Sequence, residues 1–513
     1  MMDALNYMLV IFREPMLILL VAIGTFLGIY TGAIPGLTGT MKVSLLVSFT
    51  FGWHVNQALA VIVGVFVGVV YGSARTAILL NIPGGPSAVA TTLDGYPLAQ
   101  KGYAGEAMGI CTVQSFIGTL FGVIVLATAA PLVSRVALNL HSIDFLLFAV
   151  MALLMVGGLG AKSIKRGLIA AAIGLFLGTI GVDPQTAVRR FTFDIVYLNA
   201  GVDFIVAMVG LFGASEALLQ LTTLKQKVHK QKIDKIVPSW KETVKHFPLT
   251  VRSAIIGVLI GVLPGAGGDM VALMAYDQAK RSVRKPKVPF GEGAIEGLIA
   301  PETANSAAVG GAFIPMLSLG IPGDAVTAVI ISALTIHGLR PGPNLQNHTP
   351  DLFWLIVILL VLSSFFLLIF GMTGIKLFTK IVEIPKAILM PMILLLSVVG
   401  SYAIRNSMYD VFWMFGFGIL GFLLKRFDYP IAPVVLGIIL RTLFEDNFRR
   451  GTMLQGSVGG MFLSIFNSPI STGLFILTVF LFASQTKWYK AWREKRNDAF
   501  FEKRAAKEAA GKK

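Results

Sequence analysis

The sequence predicts an all-α polytopic membrane protein, an internally duplicated bundle of about 10–12 membrane segments. Some of its helices are expected to be broken by Pro-Gly pairs or folded into hairpins. Three observations carry this. Hydrophobic residues make up 55% of the chain and charged residues only 14%, with mean hydropathy +0.77, where a soluble domain carries roughly a quarter charged residues. The apolar stretches have helical lengths, with no regular series of alternating strands of about ten residues, so helices are expected rather than a barrel. Finally, one Gly- and Pro-rich pattern occurs twice.

The first copy of that pattern runs from Gly28 to Met41 and the second from Gly257 to Met270. At an offset of 229, six of fourteen positions match: Gly28/Gly257, Gly32/Gly261, Pro35/Pro264, Gly36/Gly265, Gly39/Gly268 and Met41/Met270. Proline removes a backbone donor and clashes with the preceding turn, so neither copy is expected to be an ordinary helix. A second pair follows, Asn81-Ile82-Pro83-Gly84-Gly85 and Gly320-Ile321-Pro322-Gly323-Asp324. Paired interruptions, one set in each half, point to a transporter substrate site.

The elements follow in order. Residues 1–224 form a first transmembrane half with broken elements at 28–41 and 81–88. Its apolar run 16–40 breaks at Pro35-Gly36, 43–70 can cross the membrane, and Asp94-Gly95-Tyr96-Pro97 reads as a turn. Segments near 109–130, 144–160, 167–182 and 202–221 complete this half. Residues 225–250 are a basic cytoplasmic linker, with seven lysines against two acidic residues in 225–245. The second half, 251–484, has broken elements at 257–270 and 320–325. The run 251–279 is basic at both ends, which favours a hairpin of two short helices with Pro264-Gly265 near its tip over a single crossing. Segments near 352–375, 387–404, 410–424, 431–443 and 457–484 follow, and 485–513 is a basic cytoplasmic tail. Gly64/Gly68, Gly118/Gly122 and Gly174/Gly178 have the spacing of close helix contacts.

The formal net charge of +16 invites a nucleic-acid reading. The basic residues instead cluster in loops and tail, where the positive-inside effect puts them. Cys111 is the only cysteine, so no disulfide framework or thiolate metal cluster is expected. The histidines lack metal-site spacing, and no phosphate-binding loop, nucleophile elbow or His-Glu-x-x-His motif is present. No cofactor and no bound metal are expected, only a transported Na⁺ or H⁺ as coupling ion.

A broken membrane helix exposes backbone donors and carbonyls, which is tolerated only inside protein or against a watery cavity. Exposed helix N-termini attract anions and opposing carbonyls can coordinate Na⁺. The substrate-binding residues expected on this basis are Gly32, Pro35, Gly36, Thr38 and Gly39 at the first break, and Asn81, Pro83, Gly84 and Ser87 at the second. Gly261, Pro264, Gly265, Gly267 and Gly268 serve at the third, Pro322 and Gly323 at the fourth. Asp269, Asn305 and Asp324 are coupling-ion candidates, although both aspartates could instead cap the helices that follow. Lys42 and Arg75 could bind carboxylates or sit at an interface. The structural alternative is that the Gly-Pro breaks are kinks and the glycine pairs are packing.

At these residues the chain resembles the large membrane subunit of the tripartite tricarboxylate transporters. The motifs are Gly32-Ala33-Ile34-Pro35-Gly36-Leu37, Ile82-Pro83-Gly84, Asp94-Gly95-Tyr96-Pro97, Leu211-Phe212-Gly213-Ala214-Ser215-Glu216, Gly261 to Gly267, Gly320-Ile321-Pro322-Gly323 and the Gly- and Pro-rich stretch 338–343. The resemblance covers about 20 to 480. It implies the permease of a bacterial inner-membrane importer, a secondary active symporter driven by an ion gradient. Its implied partners are a small membrane subunit, a periplasmic solute-binding protein, a tricarboxylate or related carboxylate substrate, and membrane lipids. The rival readings are a membrane-embedded enzyme using Asp269, Asp277, Glu292 and Glu302, for which no nucleophile–base pair is evident, and a non-transporting structural or receptor subunit.

Overall fold

The computed structural model describes residues 14–34, 37–159, 164–183, 185–221, 236, 240–264, 267–283, 286–343, 345, 349–374 and 386–485. They are almost entirely helical. The helices are α1 (Pro15–Gly32), α2 (Gly39–Thr50), α3 (Val55–Leu80), α4 (Val89–Leu98), α5 (Ala104–Ala137), α6 (Ser142–Leu159), α7 (Ile164–Gly178) and α8 (Phe204–Leu221). After the linker come α9 (Trp240–Lys245), α10 (Phe247–Gly261), α11 (Gly267–Ser282), α12 (Glu296–Leu319), α13 (Ala325–Ile336) and α14 (Pro350–Thr373). The last are α15 (Lys386–Arg405), α16 (Met408–Arg426), α17 (Ala432–Gln455), α18 (Val458–Leu463) and α19 (Pro469–Gln485). One short antiparallel pair, β1 (Gly181–Val182) with β2 (Arg189–Arg190), is the sheet among the described residues.

Among the described residues six helices, or up to seven counting one bent pair, are long and apolar enough to cross a membrane. The all-α polytopic expectation therefore holds. Many large apolar side chains on these helices face outward, Leu19, Ile124 and Phe412 among them, as lipid-facing surfaces require.

Three segment expectations change. The Asp94-Gly95-Tyr96-Pro97 stretch is not a turn; it lies inside α4. The chain turns later, at Gly102 with φ 92, within a wide turn over Ala99–Tyr103. The run 43–70 is two helices, because the chain breaks at Phe51–His54 and α3 restarts with the His54 ring accepting the Asn56 N–H at 3.4 Å. The segment 457–484 bends by 104° between Val458–Asn467 and Pro469–Ala483, where Pro469 cannot continue a helix.

The residues pack as two compact units, each built from two stretches of sequence. One unit comprises the described residues of Met1–Asn139 and Phe176–Phe427, the other those of Leu140–Leu175 and Asp428–Lys513. The second unit is centred on Ile143, Leu146, Leu147, Met461 and Ile465. There α7 meets α17 at Gly174, where an added Cβ would lie 1.9 Å from the Val434 carbonyl oxygen. Buried Asp144 takes the His141 N–H at 2.8 Å and the Ser471 hydroxyl.

The first unit holds all four breaks. Its α1 and α3 cross on glycines, since a Cβ on Gly28 would lie 2.5 Å from the Val65 oxygen and one on Gly72 would lie 2.3 Å from the Ile29 oxygen. Backbones that approach this closely gain dispersion contacts that no larger residue would permit. Similarly, α5 lies against α12 through Gly118 and Gly122, which face Thr303 and Ala307. Two polar interhelical ties stiffen the unit. Gln114 on α5 accepts the hydroxyls of Thr250 (3.0 Å) and Thr303 (2.8 Å), and Lys425 on α16 donates to buried Glu216 on α8.

Candidate functional site

The site is built from two crossed helix pairs and the short helices that restart after them. The first pair is α1 with α3. The second is α10 with α12, where a Cβ on Gly257 would lie 2.4 Å from the Ala304 oxygen and one on Gly261 would lie 2.8 Å from the Ala308 oxygen. These crossings use corresponding positions. The offset of 229 relates Gly28 to Gly257 and Gly32 to Gly261, while an offset of 239 relates Val65, Val69 and Gly72 to Ala304, Ala308 and Gly311.

The ends of α3 and α12 also correspond. Asn81 closes α3 in the left-handed region with φ 55, and Gly320 closes α12 with φ 71. The Ile82 N–H donates to the Thr76 carbonyl at 3.4 Å, and the Ile321 N–H to the Pro315 carbonyl at 3.3 Å, again 239 positions on. Two residues further along, Gly84 packs against the Gly32 carbonyl and Ser73, and its N–H donates to the Ser73 carbonyl at 3.2 Å. Gly323 packs against Ala312. Each Pro-Gly pair thus lets the chain lie flat on the helix it has just left.

The restarted helices pack crosswise. After the first break Thr38 caps α2, accepting the Met41 N–H at 3.3 Å, and α2 packs on α13. After the third break α11 packs on the 3-10 turn Pro86–Ala88 and on α4. A Cβ on Gly39 would lie 3.9 Å from Val326 at the start of α13. One on Gly267, whose φ is +55, would lie 3.3 Å from the Asp324 Cβ, and one on Gly268 would lie 2.3 Å from Asn305 Oδ1. The N-terminal ends of α2, α11 and α13 are therefore brought together beside Asn305 on α12.

Lys42 occupies the first turn of α2, three residues after Gly39. It is 8% exposed, and among the described residues its Nζ has no hydrogen-bond partner. Helical side chains lean toward the N-terminus, so its stem runs back over the turn at which α2 begins. Arg75 is engaged differently. Its Nε and Nη2 donate to Tyr71 Oη at 3.1 and 3.0 Å, and Nη2 also donates to the Gly371 carbonyl. It ties α3 to α14 within the core.

The expected site residues thus fall into groups. Gly39, Gly267, Gly268, Asn305 and Asp324 come together, with Thr38 capping the helix that Gly39 opens. Gly32 and Gly84 meet each other, and Gly261 and Gly323 lie in the corresponding positions of the second set. Ser87 is buried in the turn against α11, and Pro264 and Pro322 are buried beside their breaks; Pro83 is half-buried. Asn81 is exposed and supplies the left-handed turn. Pro35, Gly36 and Gly265 lie outside the described residues, as does the side chain of Asp269. Asp324 is the helix cap: its Oδ1 accepts the Thr327 N–H at 2.7 Å and hydroxyl at 2.8 Å, while Thr327 Oγ1 accepts the Asp324 N–H at 2.9 Å.

Two buried carboxylates beside the site carry more than their sequence context suggested. Asp94 Oδ1 accepts the N–H groups of Gly291, Gly293 and Ala294 at 2.9, 2.8 and 2.7 Å, and Oδ2 accepts the Tyr276 hydroxyl at 2.9 Å. This fastens α4 to α11 and to the loop before α12. Glu302 lies one turn before Asn305 on α12 and takes the hydroxyls of Thr91 and Ser115. Its sequence signal was an acidic residue in the middle of an apolar stretch.

Residues 18–436 match the model of the tripartite tricarboxylate transporter TctA family. An uncharacterized 52.8 kDa protein in the TAR-I ttuC' 3' region of Agrobacterium vitis is 34% identical over 483 residues, covering 94% of this chain and 95% of that protein. An uncharacterized protein in the TAR-II ttuC' 3' region of the same organism is 37% identical over 218 residues, 42% of this chain and 88% of that protein. No solved structure matches. With the family model covering most of the chain, this polytopic helical protein belongs to the tripartite tricarboxylate transporter TctA family.

Proposed function

We propose that this chain is the permease subunit of a binding-protein-dependent secondary active transporter, importing tricarboxylates or related carboxylates across a bacterial inner membrane on an ion gradient. A periplasmic solute-binding protein delivers the substrate and a small membrane subunit completes the complex. The observation that carries the reading is the meeting of three helix starts, one of which carries in its first turn the buried Lys42, whose Nζ has no hydrogen-bond partner among the described residues.

Each helix start carries the positive end of a helix dipole. At α13 the Asp324 carboxylate already takes the Thr327 N–H, so the starts of α2 and α11 are the ones that favour a bound anion, and carboxylates on one molecule can be shared between them. A buried lysine is expensive without a counter-charge; a bound carboxylate supplies one. Glycines at 39, 267 and 268 let that ligand approach the backbone.

The corresponding crossings of α1–α3 and α10–α12 support an internal repeat, and the crosswise packing of α2 on α13 and α11 on α4 supports a substrate site shared by both halves. Rocking of one set against the other would change access without making a covalent bond.

The test is uptake of labelled citrate and a panel of dicarboxylates into vesicles holding this chain with its small subunit and loaded binding protein, under imposed Na⁺ or H⁺ gradients. Concentrative uptake that requires the chain and one gradient supports the reading. Chemical turnover of a substrate without vectorial movement refutes it.

A further inference from the structure

We infer that Glu302 carries a coupling proton. The inference rests on the transport reading above and names the residue through which the gradient would act.

Glu302 lies in the middle of α12 and is 2% exposed. Its Oε1 accepts the Thr91 hydroxyl from α4 and its Oε2 accepts the Ser115 hydroxyl from α5 at 3.4 Å. Among the described residues no lysine, arginine or histidine forms an ion pair with it. The other buried acids of this unit are compensated otherwise. Asp94 has three backbone N–H groups, Glu216 has Lys425, and Asp410 has Arg405. A carboxylate held in a membrane interior by hydroxyls alone is costly when ionised.

Hydroxyls suit both of its states, because each can donate and accept. The ionised group accepts from Thr91 and Ser115. The protonated group donates its own O–H to one of them while that hydroxyl turns. A proton needs a single oxygen. The three side chains offer four oxygens between them, and all three lie within helical stretches.

The charged neighbours leave Glu302 as the group free to exchange a proton. Cys111 on α5 is buried and close enough to interact electrostatically with both Glu302 and Arg75. On α3, Arg75 is held by Tyr71 and Gly371. On α4 and α11, Asp94 and Tyr276 are bonded to each other. On α10, Arg252 donates to Ser282. Nearer the start of α12, Glu296 faces His246 at 3.8 Å. At the opening of α13, Asp324 is engaged by Thr327.

Position connects the proton to the substrate region. Asn305 is one turn away on the same helix and abuts Gly268, while Thr91 sits on α4, the helix that restarts after Pro83-Gly84. Taking up a proton from water on one side turns the carboxylate into the acid and rearranges the α4–α12 tie. Releasing it to water on the other side restores the carboxylate. No heavy-atom bond changes and nothing is oxidised or reduced.

The test uses the full complex in vesicles with a trapped pH dye. The wild type is expected to accumulate carboxylate on an inward proton gradient and to acidify the lumen as it does so. E302Q, which mimics the protonated state, is expected to lose accumulation and acidification but to keep exchange of labelled for unlabelled substrate. E302D is expected to retain proton-coupled accumulation, which guards against a misfolded glutamine variant. Infrared difference spectra of the purified protein across a pH step should show a carboxylic-acid band in the wild type and none at that frequency in E302Q, whether or not transport is observed. Acidification that persists in E302Q overturns the inference, as does loss of exchange in a folded E302Q, wild-type accumulation driven by Na⁺ without proton flux, or an unchanged infrared band. Absence of exchange in the wild type would instead refute the transport reading, with the infrared band still deciding whether Glu302 takes the proton.

Discussion

Replacing Asp94 by alanine removes the acceptor for three backbone N–H groups. The Gly291 N–H is exposed and can turn to water. Gly293 and Ala294 are buried, and their N–H groups would be left without a partner. Each orphaned buried donor costs about 1–3 kcal/mol, so the loop before α12 should lose about 3 kcal/mol of local stability. That corresponds to ~100-fold faster amide exchange at roughly 1.4 kcal/mol per tenfold. Asp94→Asn keeps the Oδ1 acceptor and can still meet the Tyr276 hydroxyl. It forfeits only charge assistance, about 1 kcal/mol, or ~5-fold faster exchange. Hydrogen exchange followed by mass spectrometry on peptides spanning 286–298 reads both variants. Equal protection in wild type and Asp94→Ala would refute the role of this carboxylate as the fastener of the loop.

Lys42→Met should abolish the thermal stabilisation that saturating citrate or another bound carboxylate confers, without weakening the ligand-free protein, since it removes a buried charge that has no hydrogen-bond partner among the described residues; an unchanged ligand-induced shift would remove Lys42 from the substrate region. Gly72→Ala would place a Cβ 2.3 Å from the Ile29 oxygen and should destabilise by about 1–3 kcal/mol. Gly416→Ala meets nothing within 4 Å and should be neutral or slightly stabilising, so equal melting behaviour of the two would contradict the crossing geometry. Outside the spans, the Lys287 hydrogen bond to Glu242, aided by Lys245 and His246, pulls the Glu242 carboxyl below its ordinary 4.5. A lowered folded value means that this tie is fully present above 4.5 and lost as pH falls through the folded value. Exchange in peptides from α9 should therefore rise on acidification below that range, and Lys287→Met should remove most of the dependence.

Much of the plan was legible in the residues. Low charge and long apolar runs require helices, because a bilayer leaves no other partner for backbone groups. Pro35-Gly36, Pro83-Gly84, Pro264-Gly265 and Pro322-Gly323 marked four candidate breaks, since each pairs a proline that lacks the N–H with a glycine, whereas Pro97, Pro131, Pro301 and Pro315, with no glycine after them, lie inside helices. Gly64, Gly68, Gly118 and Gly122 were readable as close contacts because only glycine leaves room for a neighbouring backbone. What local sequence could not convey was partnership across hundreds of residues. Asp94 looks like a turn residue until the loop at 291–294 is laid against it. Arg75 and Lys42 look alike as cations, yet one is engaged by Tyr71 and Gly371 while the other has no hydrogen-bond partner among the described residues. Glu302 gains meaning only from the hydroxyls that two other helices bring to it. The sequence by itself determined that the chain is helical and spans a membrane, because charge and the length of apolar runs depend on each residue's own polarity. Tertiary structure decided which buried charges are matched, because that depends on what the fold sets opposite them.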